Sequence, residues 1–214
     1  MLESLSYYFI ILLFYYFIIL LFYYFIIFRG NHSVQFETTQ YVMRLLHNND
    51  KEFFISLYQD PVTCLHTGGV FTLEQAEERF NFCLKRNTVG TMLTFIIRNR
   101  IDNQALGFCA LIWSKTLASV EVGISLKSEN IGKGIAKEVL PELLNLAFNN
   151  IQIPLLMIRT DKNNLAMIKT IERLSWPTKQ VTTVQINADR KNPDDAKVVY
   201  TDADCYWYIE NQTN

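Results

Sequence analysis

The stretch "VEVGISLKSENIGKGIAKEVL", Val120–Leu140, decides how this chain is read. A strand over 119–126 runs into a short glycine-bearing loop, and the loop opens directly into a helix. That geometry aims unpaired backbone N–H groups and the positive helix end at an anion, most simply a phosphate. Gly132 and Gly134 let the chain approach such a group without a Cβ in the way. Two familiar phosphate motifs fail here. A P-loop needs Lys then Ser or Thr after a glycine, which Gly132-Lys133-Gly134 does not supply. A dinucleotide fingerprint needs glycine at 137, which is Lys. By itself the loop is equally compatible with a plain glycine-rich turn from strand to helix.

Working outward, the spacing of apolar residues predicts an alternation of strands and helices. "FETTQYVMRLL" (36–46) reads as one strand, and "NNDKEFFISLYQD" (48–60) as a helix that Asp60-Pro61 ends. "TLEQAEERFNFCLKR" (72–86) starts with Thr72 and Gln75 in a capping-box pattern and carries Ala76, Phe80 and Cys83 on one face. Strands are expected at 91–98 and 105–113, joined by the turn "NRIDNQ", ahead of the strand at 119–126. A helix follows over 134–150, with Pro141 expected to kink it or crowd a carbonyl. Then come a buried strand at 153–160, a helix at 164–174 stopped by Pro177, and a last strand at 202–210. The order is β-α-α-β-β-β-α-β-α-β. It implies an α/β protein with a central mixed sheet and helices on both faces.

Net charge is −1, from 20 basic and 21 acidic residues, which argues against a nucleic-acid binder that works by bulk charge. Cys64, Cys83, Cys109 and Cys205 form no C-x-x-C pair and do not cluster with the three histidines. They read as free thiols of a reducing compartment rather than as metal ligands.

The N-terminus is a separate problem. "YYFIILLFYYFIILLFYYFIIF", Tyr7–Phe28, has no charge, no Gly and no Pro, and repeats every eight residues. Its 22 residues would make a helix of about 33 Å, enough for a hydrocarbon core of roughly 30 Å. Arg29 after it and Glu3 before it would put the C-terminal side in the cytoplasm. The same run can also be written as the DNA unit TATTATTT read through all three frames. The segment reads as a membrane anchor, or as a translated microsatellite whose start is phase-variable or lies downstream; a repeat born at the DNA level can still insert as a helix once translated. The expected division is a hydrophobic repeat segment over 1–33 and one folded domain over 34–214.

The loop and its surroundings together resemble the GNAT N-acetyltransferases, in particular the ribosomal-protein alanine acetyltransferase branch. Glu121, Gly123, Gly132, Lys133, Gly134, Ala136 and Glu138 match the strand and loop of that pattern. Thr38, Arg44 and Asp50 match its opening, and "LYQDP" (57–61) and "TLEQA" (72–76) recur in it. "IRTDKNNLAMIKTIERLSW" (158–176) is similar to its second cofactor motif. The resemblance spans about 34–210. The departures are Ile131 where the loop has Gln or Arg, Met167 where many members have Ser, and Ser175 for a Gly. Ile171 stands where other branches place a tyrosine general acid.

The resemblance implies a central, mostly antiparallel sheet and direct transfer of an acetyl group from acetyl-CoA to an amine, on a protein N-terminus or a small molecule. No metal is implied. The pyrophosphate would lie on the amides of Gly132, Lys133, Gly134, Ile135 and Ala136, with Lys133 adding charge. The pantetheine arm would pair beside Ile124 and Leu126, a backbone N–H there would stabilise the oxyanion, and Asn164 would contact coenzyme A. Glu121 is the candidate base, with His66 and Cys109 weaker choices; a structural carboxylate is the other reading of Glu121. The loops at 62–71 and 177–201 are expected to shape the acceptor pocket. Two further readings are a non-catalytic GNAT-shaped module tethered to the membrane and a small membrane-interaction protein resting on 7–28. For the enzyme, the expected location is the cytoplasm, at its membrane face if the leader inserts.

Overall fold

The computed structural model describes residues 34–113, 119–188 and 201–211. The expected span Tyr7–Phe28, and the N-terminal hydrophobic helix with it, lies outside them. Among the described residues no helix is long and apolar enough to cross a membrane.

Eight strands form one sheet: β1 (Gln35–Glu37), β2 (Tyr41–Leu45), β3 (Met92–Asn99), β4 (Ala105–Trp113), β5 (Val120–Leu126), β6 (Leu155–Asp161), β7 (Thr178–Val181) and β8 (Asp204–Glu210). Their spatial order is β1-β2-β3-β4-β5-β6-β8-β7. Every neighbouring pair is antiparallel except β5 and β6. Met92–Ile97 are all buried, and side chains alternate along a strand, so helices cover both faces of the sheet centre. On one face, α1 (Lys51–Gln59) and α2 (Leu73–Thr88) set Phe54, Phe80 and Cys83 against Met92 and Ile96 of β3. The remaining helices are α3 (Ile135–Asn145), α4 (Leu165–Ile171) and α5 (Thr183–Ala188).

The predicted strand at 36–46 is a hairpin. Thr38 Oγ1 accepts from the N–H groups of Gln40 and Tyr41, so the chain reverses where uninterrupted pairing was expected. Arg44 and Arg98 then meet on Asp50, whose side chain is fully buried, at 2.7 and 2.8 Å. Burial pushes that carboxyl up, but the two guanidiniums and the His47 N–H outweigh it and hold it below its ordinary value. The helix expected at 48–60 opens with a 3-10 turn, Asn48–Asp50, and Asp60 is already extended before Pro61. Thr72 and Gln75 form the capping box that the sequence predicts.

Pro141 does not interrupt α3. The helix runs to Asn145 and then widens into a π turn, Leu146–Asn150. The stretch 177–201, expected as loop, contains β7 at the sheet edge and α5. The second of these is opened by another Thr-x-x-Gln box, Thr182 with Gln185.

Candidate active site

Strands β5 and β6 run parallel but stay paired only through Val120↔Leu156, Glu121↔Met157 and Val122↔Ile158. Beyond that point they separate, while β5 keeps its full register with β4 as far as Leu126. Lys127 donates its N–H to the Leu106 carbonyl of the β4 side. Because hydrogen-bonding directions alternate along a strand, Val122, Ile124 and Leu126 turn their backbone groups to the opposite edge. The ladder ends at Val122, so the N–H of Ile124, next in line, faces the gap and not β6. The Leu126 carbonyl is already taken, accepting from Thr63 Oγ1 at 3.1 Å. Gly107 makes this strand end possible. A Cβ there would run into the Ser125 carbonyl oxygen and the Leu126 side chain.

The anion loop follows. The backbone is left-handed at Gly132 (φ +81°) and Gly134 (φ +83°), and Gly134 is the N-cap of α3 without a capping side chain. The first amides of α3, at Ile135 and Ala136, therefore have no intrahelical partner. The loop is held from three directions. Asp60, from the "LYQDP" motif, accepts from Ser128 and from Val62 and Thr63. Those hydrogen bonds, Ser128 first, keep its carboxyl down at about 2. Asn130 is buried and donates to the Leu106 carbonyl, and Lys133 Nζ lies 3.5 Å from its amide oxygen. Glu138 accepts from the N–H and the side-chain amide of Gln40 at 3.1 and 3.2 Å. Ile131 is exposed and carries no polar group.

Glu121 pairs across the sheet with Ile112, which pairs with Met92, so all three sit on the α1/α2 face. There a cavity of about 740 Å³ opens beside the strand gap. The Glu121 side chain is 22% exposed into it and lies 3.4 Å from Arg159 Nε. Burial raises the carboxyl above its usual range and the Asp204 carboxylate adds to that, while Arg159 and Arg79 pull it down. A carboxylate so placed can accept a proton at physiological pH more readily than an exposed one.

His66 reaches the same cavity and stands 3.8 Å from Asp161, at the end of β6. Cys109 is fully buried in β4 and its thiol is pushed far up by burial alone, so it is a packing residue. Asn164 caps α4 by accepting from the Met167 N–H at 3.2 Å, and both residues line the cavity. Ile171 is wholly buried, away from any proton-transfer role. The elements thus gather Glu121, Ile124 and Asn164 at one cavity, with Gly132–Ala136 in the loop that follows β5. The sequence reading missed Tyr58, Arg79, Arg159, Asp161 and Asp204, which also line it. One of these was signalled: Arg79 lies on the same α2 stripe as Ala76, Phe80 and Cys83, a cation on an apolar face.

Comparison with known proteins places this geometry. Residues 41–176 match a family model described as Acetyltransferase (GNAT) domain. The fold is similar to that of an acetyltransferase from Agrobacterium tumefaciens, with TM-score 0.67 and 16% identity, over 85% of this chain and 97% of that one. It is similar to the ribosomal-protein-S5-alanine acetyltransferase of Vibrio fischeri (TM-score 0.60, 15% identity, 84% and 96% covered). It is also similar to the spermidine N-acetyltransferase of Vibrio cholerae, solved with CoA and spermine (TM-score 0.61, 15% identity, 80% and 96% covered). No functionally curated sequence matches.

Proposed function

Since this chain belongs to the GNAT acetyltransferase family, we propose that it transfers the acetyl group of acetyl-CoA to a primary amine at the cavity beside Glu121. The observation that carries this reading is the end of the β5–β6 ladder at Val122, directly after Glu121. It leaves a slot between strands, with a backbone donor on its rim and a carboxylate on one face. Acetyl-CoA as co-substrate supplies an activated thioester.

The chain's own groups fit that molecule. Backbone at Ile124 pairs with the amides of the pantetheine arm as an added strand would, and Leu126 contributes only its N–H, since its carbonyl is engaged by Thr63. The amides of Gly132–Ala136 and the start of α3 receive the pyrophosphate, with the Lys133 ammonium beside them. Asn164 meets the cofactor at the far rim while it caps α4. The Ile124 N–H points where negative charge develops on the acetyl oxygen, and a fixed donor of this kind lowers the barrier without reorganising. Glu121 takes the proton of the incoming ammonium, directly or through one water, so that the neutral amine attacks. The thioester C–S bond breaks as the amide C–N bond is made, and coenzyme A leaves as the thiolate, which takes up the proton shed by the new amide nitrogen.

The relatives named above act on a ribosomal-protein alanine and on spermidine, which supports a primary amine acceptor, on a protein or a small molecule. We place the reaction in the cytoplasm; the four cysteines are all free thiols, in keeping with a reducing compartment. Membrane attachment through Tyr7–Phe28 is tested by fractionating cells: release of the chain by salt alone excludes an inserted span. The test of the activity is to incubate the full chain with acetyl-CoA and an amine panel, following free thiol and acetylated product. Product that forms with the native chain and falls by two to four orders of magnitude with Glu121→Gln supports the reading. Equal rates for the two proteins contradict the role of Glu121.

A further inference from the structure

The cavity holds more cationic recognition than deprotonating an amine requires. Arg159 is committed to Glu121, and His66 stands against Asp161. Arg79 differs. It projects from α2 into the same cavity, and its immediate partners are the Tyr58 phenol and the ring of Phe82, 5.7 Å from the guanidinium carbon. Both partners are neutral. They lie beside the guanidinium without cancelling its charge, and among the described residues Arg79 has no carboxylate within ion-pair distance. Glu121 feels its charge but makes its close contact with Arg159.

An exposed guanidinium beside aromatic neighbours, with donors still to satisfy, suits an oxyanion in fork geometry. Phe108, Phe71 and Ile112 add apolar surface to the same cavity. The carboxylates of Glu121, Asp161 and Asp204 lie in the same cavity and suit an ammonium. The cavity therefore presents one site of each sign.

We propose that the acceptor is an amine that also bears an oxyanion, and that Arg79 binds the oxyanion while Glu121 receives the amino group. The inference rests on the transferase reading given above and narrows its acceptor class. Carboxylate and phosphate share the chemistry that Arg79 reads. An amino acid, an amino-alcohol phosphate and a peptide whose second residue is acidic are three sources of it.

The test is calorimetric titration of matched amines into the full chain saturated with coenzyme A, so that binding is read without turnover. The pairs are β-alanine against β-alaninamide, phosphoethanolamine against ethanolamine, and Ala-Asp-Gly amide against Ala-Asn-Gly amide. At least one anionic member should bind about tenfold or more tightly than its neutral partner, the size expected for a charge-assisted hydrogen bond. Arg79→Gln should bring that ratio near one, and Arg79→Lys should retain part of it. A residue that merely supports Tyr58 would weaken both members of a pair equally. If coenzyme A binds but no anionic member is preferred, or if the preference survives Arg79→Gln, the proposal is overturned. If coenzyme A itself does not bind, the transferase reading fails first and takes this inference with it.

Discussion

At the level of single residues the proposed chemistry rests on Glu121, whose environment would set the pH at which it works. Burial is the first cause of its raised pKa, with Asp204 acting in the same direction. The base must be ionised, so activity should rise with pH through a midpoint above the ordinary carboxylate range. A pH profile of kcat/KM should show that limb, and Glu121→Gln should remove it along with most of the rate. A limb that persists unchanged in the variant would assign the titration to the amine. Asp50 shows the opposite sign. Its pKa is depressed, so it stabilises the fold above the usual carboxylate pKa, and that contribution is lost as pH falls through the folded value. Asp50→Asn leaves Arg44 and Arg98 facing a neutral amide. Removing one member of a buried ion pair costs about 3–5 kcal/mol, which chemical denaturation at pH 7 would measure. The loss should shrink at acid pH, where the native carboxyl is itself protonated.

Among the elements, β5 and the loop after it make the proposed cofactor slot, and a small substitution tests each. Gly107→Ala on β4 drives a methyl into the Ser125 carbonyl oxygen, so β5 must shift near Ile124. Weaker coenzyme A binding together with lower stability should follow, read by titration and by melting. Gly134→Ala places a side chain at φ +83° without filling occupied space. Strain at one such position costs about 1–2 kcal/mol, and it falls where the loop must present amides, so affinity should drop more than stability. Most of these elements are legible from residue order. Thr72 and Gln75 announce α2, and the Asp60-Pro61 step ends α1 one residue early. What escapes is local and has physical causes. Thr38 folds a turn into a run of β-formers, and its hydroxyl gives no periodic signal. Strand β7 is four residues, three of them polar, and reads as loop until β8 pairs with it. The Thr182–Gln185 box that opens α5 was readable by the same rule that found Thr72.

At the scale of the whole molecule, the site is an agreement between distant segments that no single window of sequence displays. Glu121 was visible as a charged residue in an apolar strand, but Arg159, Asp161 and Asp204 join it only because β6 lies beside β5 and β8 beside β6. Gln35–Asn214 form one compact unit that contains all of these parts. On the proposed reading this unit binds acetyl-CoA in the gap between β5 and β6. The most direct test is the melting temperature of the full chain with and without acetyl-CoA in large excess. A ligand at about 100 times its dissociation constant adds roughly 2.7 kcal/mol. For a domain of this size that corresponds to a rise of about 5–10 °C. That rise is the expected result, and a cooperative melt that does not move with acetyl-CoA would rule out binding in the gap.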